Sequence, residues 1–247
     1  MDLDEAAQMF RELVAVIKKL RTPGTGCPWD LEQTHQTLRL FLIEEAYEVL
    51  DTIDRADDPS FREELGDLLL QVVLHAQVAD DRGAFSITEV IRGIERKMVR
   101  RHPHVFGSVE VQGSAEVLKN WEQIKAAEAA EKGVDPSPAA GLARLPESMP
   151  ALQRAQRLGE KAAKAGAPER SLGAVLAKVS EEFEALEESV HAEETTTSTM
   201  SEGNRAHLEH AMGEVLFNLC QLSRRLGLSA EDSLRAANRR FIERFRV

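Results

Sequence analysis

Cysteine is nearly absent: Cys27 and Cys220 are the only two in 247 residues. No disulfide framework and no CxxC metal knuckle can be built from them, which fits a reducing, cytoplasmic setting. Basic charge is short as well, with 31 Lys and Arg against 42 Asp and Glu, a net charge of −11. A nucleic-acid polymer calls for a basic patch and is not the expected partner. Nucleotides stay open, because an acidic site reaches phosphates through a divalent cation. No run of about 18 apolar residues occurs, so no membrane span is expected. The N-terminal MDLDEAAQMFRELVAVIKKL lacks the basic-then-apolar order of a signal peptide. Neither GxxxxGKS/T nor GxGxxG is present, which argues against a P-loop or dinucleotide site. No Ser/His/Asp or Cys/His arrangement stands out.

Alternating strand patterns are scarce too, and helical periodicity fills the space they leave. A helix is expected over 3–20, with Leu3, Phe10, Leu13, Val14, Ile17 and Leu20 on its apolar side. RTPGTGCPWD (21–30) reads as a loop, because Gly and Pro break helices. A second helix runs from about Leu31, or from a cap at Thr34, to Arg55. The third covers 61–80, with Ser60 as N-cap and Glu63 completing a capping box. Helices follow at 86–102 and 115–131. Residues 132–150 hold four prolines and two glycines and read as a linker. Helical patterns resume at 151–164, 171–191, 206–226 and 229–245, with 191–206 a polar, mobile connector. The second half echoes the first: Glu181–Glu182 fall over Glu44–Glu45, Gly213 over Gly66, and Arg240 and Arg244 over Lys97 and Arg101. The expected fold is all-α, a helix bundle of two tandem repeats, with domains at 1–131 and 151–247.

Acids crowd an apolar helix in FLIEEAYEVLD (41–51), where Glu44, Glu45, Glu48 and Asp51 share about a third of the circumference. In the next helix Leu65, Leu68, Leu69, Leu70, Val72, Val73 and Leu74 wrap nearly all round, so burial is expected. One polar stripe runs down it: Glu64, Asp67, Gln71, His75. Glu45/Glu48 and Glu64/Asp67 are both i, i+3 pairs. If the two helices pack antiparallel, four carboxylates converge, and uncompensated buried charge needs a partner. A hard divalent cation suits oxygen donors, Mg²⁺ with Mn²⁺ as the second choice. The competing reading is a solvated acidic face, or acids neutralised by Arg39, Arg55 or Arg62. A di-iron site is disfavoured, because it needs Glu-x-x-His.

Lys97, Arg100, Arg101, His102 and His104 gather at the end of the 86–102 helix. Cations suit a helix C-terminus. Lys97 and Arg101, one turn apart, also suit a phosphate chain. His102 reads either as a phosphate contact or as part of a turn. Trp29 is a hydrophobic anchor or a platform on which a base stacks.

GCPWDLEQTH, EEAYE, EELGDLLLQVV, RKMVRRHPHVFG and NWEQIKAAE, in this order and spacing, resemble the MazG nucleoside triphosphate pyrophosphohydrolases. The resemblance implies an all-α, dimeric enzyme that cuts NTPs and dNTPs to the nucleoside monophosphate and pyrophosphate with Mg²⁺, cleaning the nucleotide pool. It implies Glu45, Glu48, Glu64 and Asp67 as metal ligands, with Glu44 an acid beside the attacking water. Lys97 and Arg101 would meet the triphosphate. The second repeat departs from this pattern. Ala185 and Ala211 replace two acids, leaving Glu182 and Glu214, a poor Mg²⁺ set. Catalysis is therefore expected in the first repeat. The alternative is a catalytically reduced module that senses nucleotides or binds a protein.

Overall fold

The computed structural model describes residues 2–135, 137–194 and 202–245. Among them are twelve helices and no strand. The chain divides into two compact units, Met1–Glu122 and Gln123–Val247, with the boundary inside the helix Ser114–Glu131. No described helix is long and apolar enough to cross a membrane.

In the first unit, α1 (Leu3–Leu20) is capped by Asp2, whose carboxylate accepts from the Asp4 and Glu5 amides. Its Ile17 enters a core with Leu38, Val73, Leu74 and Val78, flanked by Phe10, Leu13 and Val14. Leu3 stays exposed. The 21–30 segment is more ordered than expected. Pro28–Glu32 forms a short α2, because Pro at a first helical turn starts a helix as readily as it breaks one. Buried Arg21 ties this segment down: it pairs with Asp81 at 2.7 Å and donates to the carbonyls of Asp30 and Gln33. Gly26 is required there, since a Cβ would lie 2.2 Å from the Leu20 carbonyl oxygen.

The next helix starts later than the pattern suggests, at Arg39 (α3, Arg39–Arg55). The Thr34 and Thr37 side chains bond to each other's backbone and to Gln33, and so hold a turn instead. Ala56, in the left-handed region at φ 53°, ends α3, and the Asp57 amide reaches back to the Thr52 carbonyl. Asp57, not Ser60, caps α4 (Asp58–Asp81), with Ser60 donating to it. The two helices form an antiparallel hairpin. Only the second half of α4 is buried, from Gln71 to Ala79. Leu65, Leu69 and Val72 are exposed, against the expectation of burial all round. The α1 core side chains meet α4 only from Leu70 onward. Then come α5 (Ile87–Arg101), with a Ser86/Glu89 capping box, α6 (Pro103–Phe106) and α7 (Ser114–Glu131).

In the second unit, a short α8 (Pro138–Ala143) lies within the stretch read as linker. It precedes α9 (Ala151–Lys164). The principal pair is α10 (Leu172–Glu194) with α11 (Glu202–Arg225). Both helices extend into the segment read as a connector, and its centre, 195–201, lies outside the described residues. Leu186, Ala211 and Val215 form the core of this pair. α12 (Ala230–Glu243) is fastened to α9 by Gln156, which donates to the Leu228 carbonyl and accepts from the Ala230 amide, both at 2.8 Å.

Candidate active site

The hairpin register decides the site. Gln71 on α4 lies opposite Glu45 on α3, and from there the antiparallel run brings Glu48 to Glu64. Glu45, Glu48 and Glu64 each offer a carboxylate oxygen, and these lie within 4.8 Å of one another. Three like charges at that separation repel, so the group is costly unless protons or a cation compensate. The cost is visible in two of the three. Desolvation, then the charges of Asp67 and Glu48, push the Glu45 carboxyl up from 4.5. Glu64 is pushed up by desolvation, then by Glu48, Asp67 and Glu63.

Asp67 is exposed and stands beside the three-acid group, close enough for its charge to act on both Glu45 and Glu64. Glu44 is exposed and lies outside the group. Arg55 pairs with Asp51 at 3.1 Å, and its charge also acts on Glu64 in the direction opposite to the neighbouring acids.

Behind the acids the polar stripe of α4 continues inward. Gln71 is 5% exposed, and its amide donates to Glu45 at 3.5 Å while its carbonyl oxygen has no partner. One turn further, His75 Nδ1 lies 2.9 Å from His35 Nδ1, with the rings stacked at 5.2 Å. Gln71 and His35 were not singled out as site residues from the sequence. The stripe through Gln71 and His75 was the signal for the first, and nothing local marks the second.

The cationic and aromatic candidates lie on α2 and on α5 and its end. Lys97 is exposed on α5, and Arg101 is half-buried at its end. His102 caps α5, its Nδ1 lying 2.7 Å from the Met98 carbonyl, and its ring meets Trp121 edge to face. Trp29 is half exposed on α2 and packs edge to face on Phe41 of α3, 5.9 Å between centroids.

The second unit handles its acids differently. Ala211, at the position corresponding to Glu64, is buried in the α10/α11 core. Lys178 Nζ sits 2.8 Å from Glu182 and 3.2 Å from Glu181. An ammonium thus occupies the place beside the remaining acid pair. Among the described residues, the first-unit triad is the one group of three or more side chains suited to a metal ion.

Comparison with known proteins gives a consistent picture. The MazG nucleotide pyrophosphohydrolase domain model matches residues 33–106, which span the triad and both helices that carry it. The nucleoside triphosphate pyrophosphohydrolase/pyrophosphatase MazG of Thermotoga maritima is 42% identical over 244 residues, covering 99% of this chain and 87% of that protein. The nucleoside triphosphate pyrophosphohydrolase of Escherichia coli K12 is also 42% identical, over 95% of this chain and 84% of its own length. A Mycobacterium tuberculosis protein of the same name is 41% identical over 64% of this chain and 46% of its own.

Proposed function

The chain belongs to the MazG nucleotide pyrophosphohydrolase family, and from that premise we propose that its first unit carries the reaction, with Mg²⁺ held by Glu45, Glu48, Glu64 and Asp67. The protein is a nucleoside triphosphate pyrophosphohydrolase, a hydrolase acting on acid anhydrides. Water adds across the bond between the α and β phosphates of an NTP or dNTP, leaving the nucleoside monophosphate and pyrophosphate.

The observation that carries the reading is the Glu45–Glu48–Glu64 triad, three carboxylates brought together from facing helices. All donors are hard oxygens, the set that suits Mg²⁺ and, next, Mn²⁺. When bound, the ion supplies neutralisation of phosphate charge and a more acidic water. The chain's own residues do the remainder. Glu44, at the rim, orients the attacking water. Lys97 and Arg101 bind the triphosphate as charge clamps. Trp29, already set against Phe41, offers the base a stacking face. His102 is committed to its helix end and stiffens the turn that follows Arg101.

Two further features support this assignment. Ala211 fills with core what would be a ligand position in the second unit, and Lys178 pairs with both Glu181 and Glu182. The second copy of the chain is the partner proposed for the exposed Ile43, Tyr47, Leu65, Leu69 and Val72 of the α3/α4 hairpin, making a homodimer. The free Cys27 and Cys220 fit the cytoplasmic setting proposed for the protein.

The test is pyrophosphate release from a panel of NTPs and dNTPs, with Mg²⁺ or EDTA. Glu45→Ala with Asp67→Ala should abolish it, and Glu182→Ala with Glu214→Ala should leave it intact. The reverse pattern moves catalysis to the second unit.

A further inference from the structure

The second unit holds a cavity of about 540 Å³ between α9, α10 and α11. That is within the range of about 300–1,000 Å³ typical of small-molecule sites. Leu158, Val175 and Phe217 give the cavity apolar lining, and Arg224 and Arg225 line it together with Lys178, Glu214, Asn218 and Gln221. Both arginines are held by one carboxylate. Arg224 Nη1 donates to Glu169 Oε1 at 2.8 Å, and Arg225 Nη1 donates to Glu169 Oε2 at 2.7 Å. The two guanidinium side chains are largely buried, at 20% and 28% exposure, and Arg225 Nε is buried without a partner.

Two arginines fixed side by side around a single anionic group form a phosphate-shaped receptor, because the guanidinium fork matches phosphate as well as carboxylate. Glu169 belongs to neither helix. It lies in the 165–171 segment between α9 and α10, which turns through Gly166 at φ 88° and Pro168. The carboxylate is 41% exposed, so it can leave the arginines without any core being opened. A phosphate monoester brings up to two charges and three acceptor oxygens against one charge and two, and the arginines favour it.

We propose that this cavity is a metal-independent site for a nucleoside monophosphate, with its phosphate on Arg224 and Arg225 in place of Glu169 and its base against Phe217 and Leu158. A triphosphate fits less well. Its extra charge needs a cation, and Lys178 occupies the position beside Glu181 and Glu182. The site goes beyond the hydrolysis assigned to the first unit, and it is read by binding alone.

The experiment is calorimetric titration of the full chain in EDTA with nucleoside monophosphates, the matching nucleosides, NTPs and inorganic phosphate. One monophosphate should bind per chain, more tightly than its nucleoside, its triphosphate or phosphate alone. Arg224→Ala with Arg225→Ala should weaken it by at least about tenfold. Glu169→Gln should tighten it severalfold, a gain that misfolding cannot produce. Glu45→Ala with Glu48→Ala should leave it unchanged. No binding overturns the proposal, as does equal binding of nucleoside, triphosphate or inorganic phosphate. Loss of binding in the Glu45/Glu48 variant places the ligand in the first unit and overturns it as well. Because EDTA silences hydrolysis, none of these outcomes depends on which unit is catalytic.

Discussion

Gln71 reaches across the α3/α4 hairpin to Glu45, its amide 3.5 Å from the carboxylate, while its own carbonyl oxygen is buried and unpaired. A bond at the outer limit of hydrogen-bond length is weak, but it restricts the rotamer of a carboxylate proposed to hold the metal. Gln71→Leu should therefore raise the Mg²⁺ concentration for half-maximal activity by about tenfold, with turnover largely recovered at saturating Mg²⁺. Gln71→Asn, too short to reach, should behave likewise. Metal titrations of the initial rate separate this from a loss of folding, which no excess of Mg²⁺ would restore.

Acid titration should reveal the triad without any substrate. The Glu45 carboxyl is pushed above 4.5 in the folded chain by desolvation, then by Asp67 and Glu48. Just above 4.5, the folded state without metal thus holds more protons than the unfolded chain. Its stability falls as pH rises through that window. Bound Mg²⁺ needs the ionised form and adds stability as pH rises. Melting temperatures in EDTA and in Mg²⁺ should diverge from 4.5 upward, and Glu45→Gln should flatten the EDTA curve. Parallel curves would count against a cation site at the triad.

The His35/His75 pair should give a titration of opposite sign, nearer neutrality. Desolvation, then the His35 charge, hold His75 below its ordinary 6.5. The unfolded chain takes up the proton first, so stability is whole above 6.5 and is lost as pH falls toward the folded value. Two protonated rings with nitrogens 2.9 Å apart would repel. His35→Asn should make unfolding less acid-sensitive below 6.5, as followed by denaturant midpoints. The effect should persist in both EDTA and Mg²⁺, which distinguishes it from that of Glu45.

Much of this site is legible in the residue pattern, and the exceptions have physical causes. The i, i+3 spacing of Glu45/Glu48 and Glu64/Asp67 places acids on facing turns, because helix geometry is local. The partner of each acid is set by the turn between the helices. Ala56 adopts a left-handed conformation that its side chain does not advertise, and Asp57 starts α4 earlier than Ser60 would. The resulting register brings Glu45, Glu48 and Glu64 into one group and leaves Asp67 at its edge. Pro28 lies in a Gly/Pro-rich stretch that signals a break, yet it starts a helix, because proline fits a first helical turn. The apolar wrap of α4 was read as burial within one chain, yet Leu65, Leu69 and Val72 face outward. Composition tells how much surface must be covered, and not by which molecule.

That exposed face leads to a direct test. If a second copy covers it, Leu69→Glu should shift the protein to monomer in sedimentation velocity while its helical circular dichroism is retained. A variant that stays dimeric removes α4 from the interface. A wild-type chain that is monomeric at all concentrations removes the homodimer.

The two repeats finally invite a reciprocal pair of substitutions at corresponding positions, Glu64 and Ala211. Glu64 is held against Glu48, Asp67 and Glu63 at an electrostatic cost. Ala211 is 7% exposed and packed with Leu186 and Val215. Glu64→Ala should therefore leave the metal-free protein at least as stable as wild type while abolishing hydrolysis, because it relieves repulsion and removes a ligand. Ala211→Glu should destabilise the second unit by roughly 3 kcal/mol, the cost of an unpaired buried charge. Mg²⁺ should not rescue it, since Lys178 already engages Glu181 and Glu182. Adding Lys178→Ala to Ala211→Glu sharpens the comparison. If that double variant regains stability with Mg²⁺, the second unit retains a usable cation site. If it does not, its acids have become structural, and the division of labour between the repeats is fixed by packing as well as by charge.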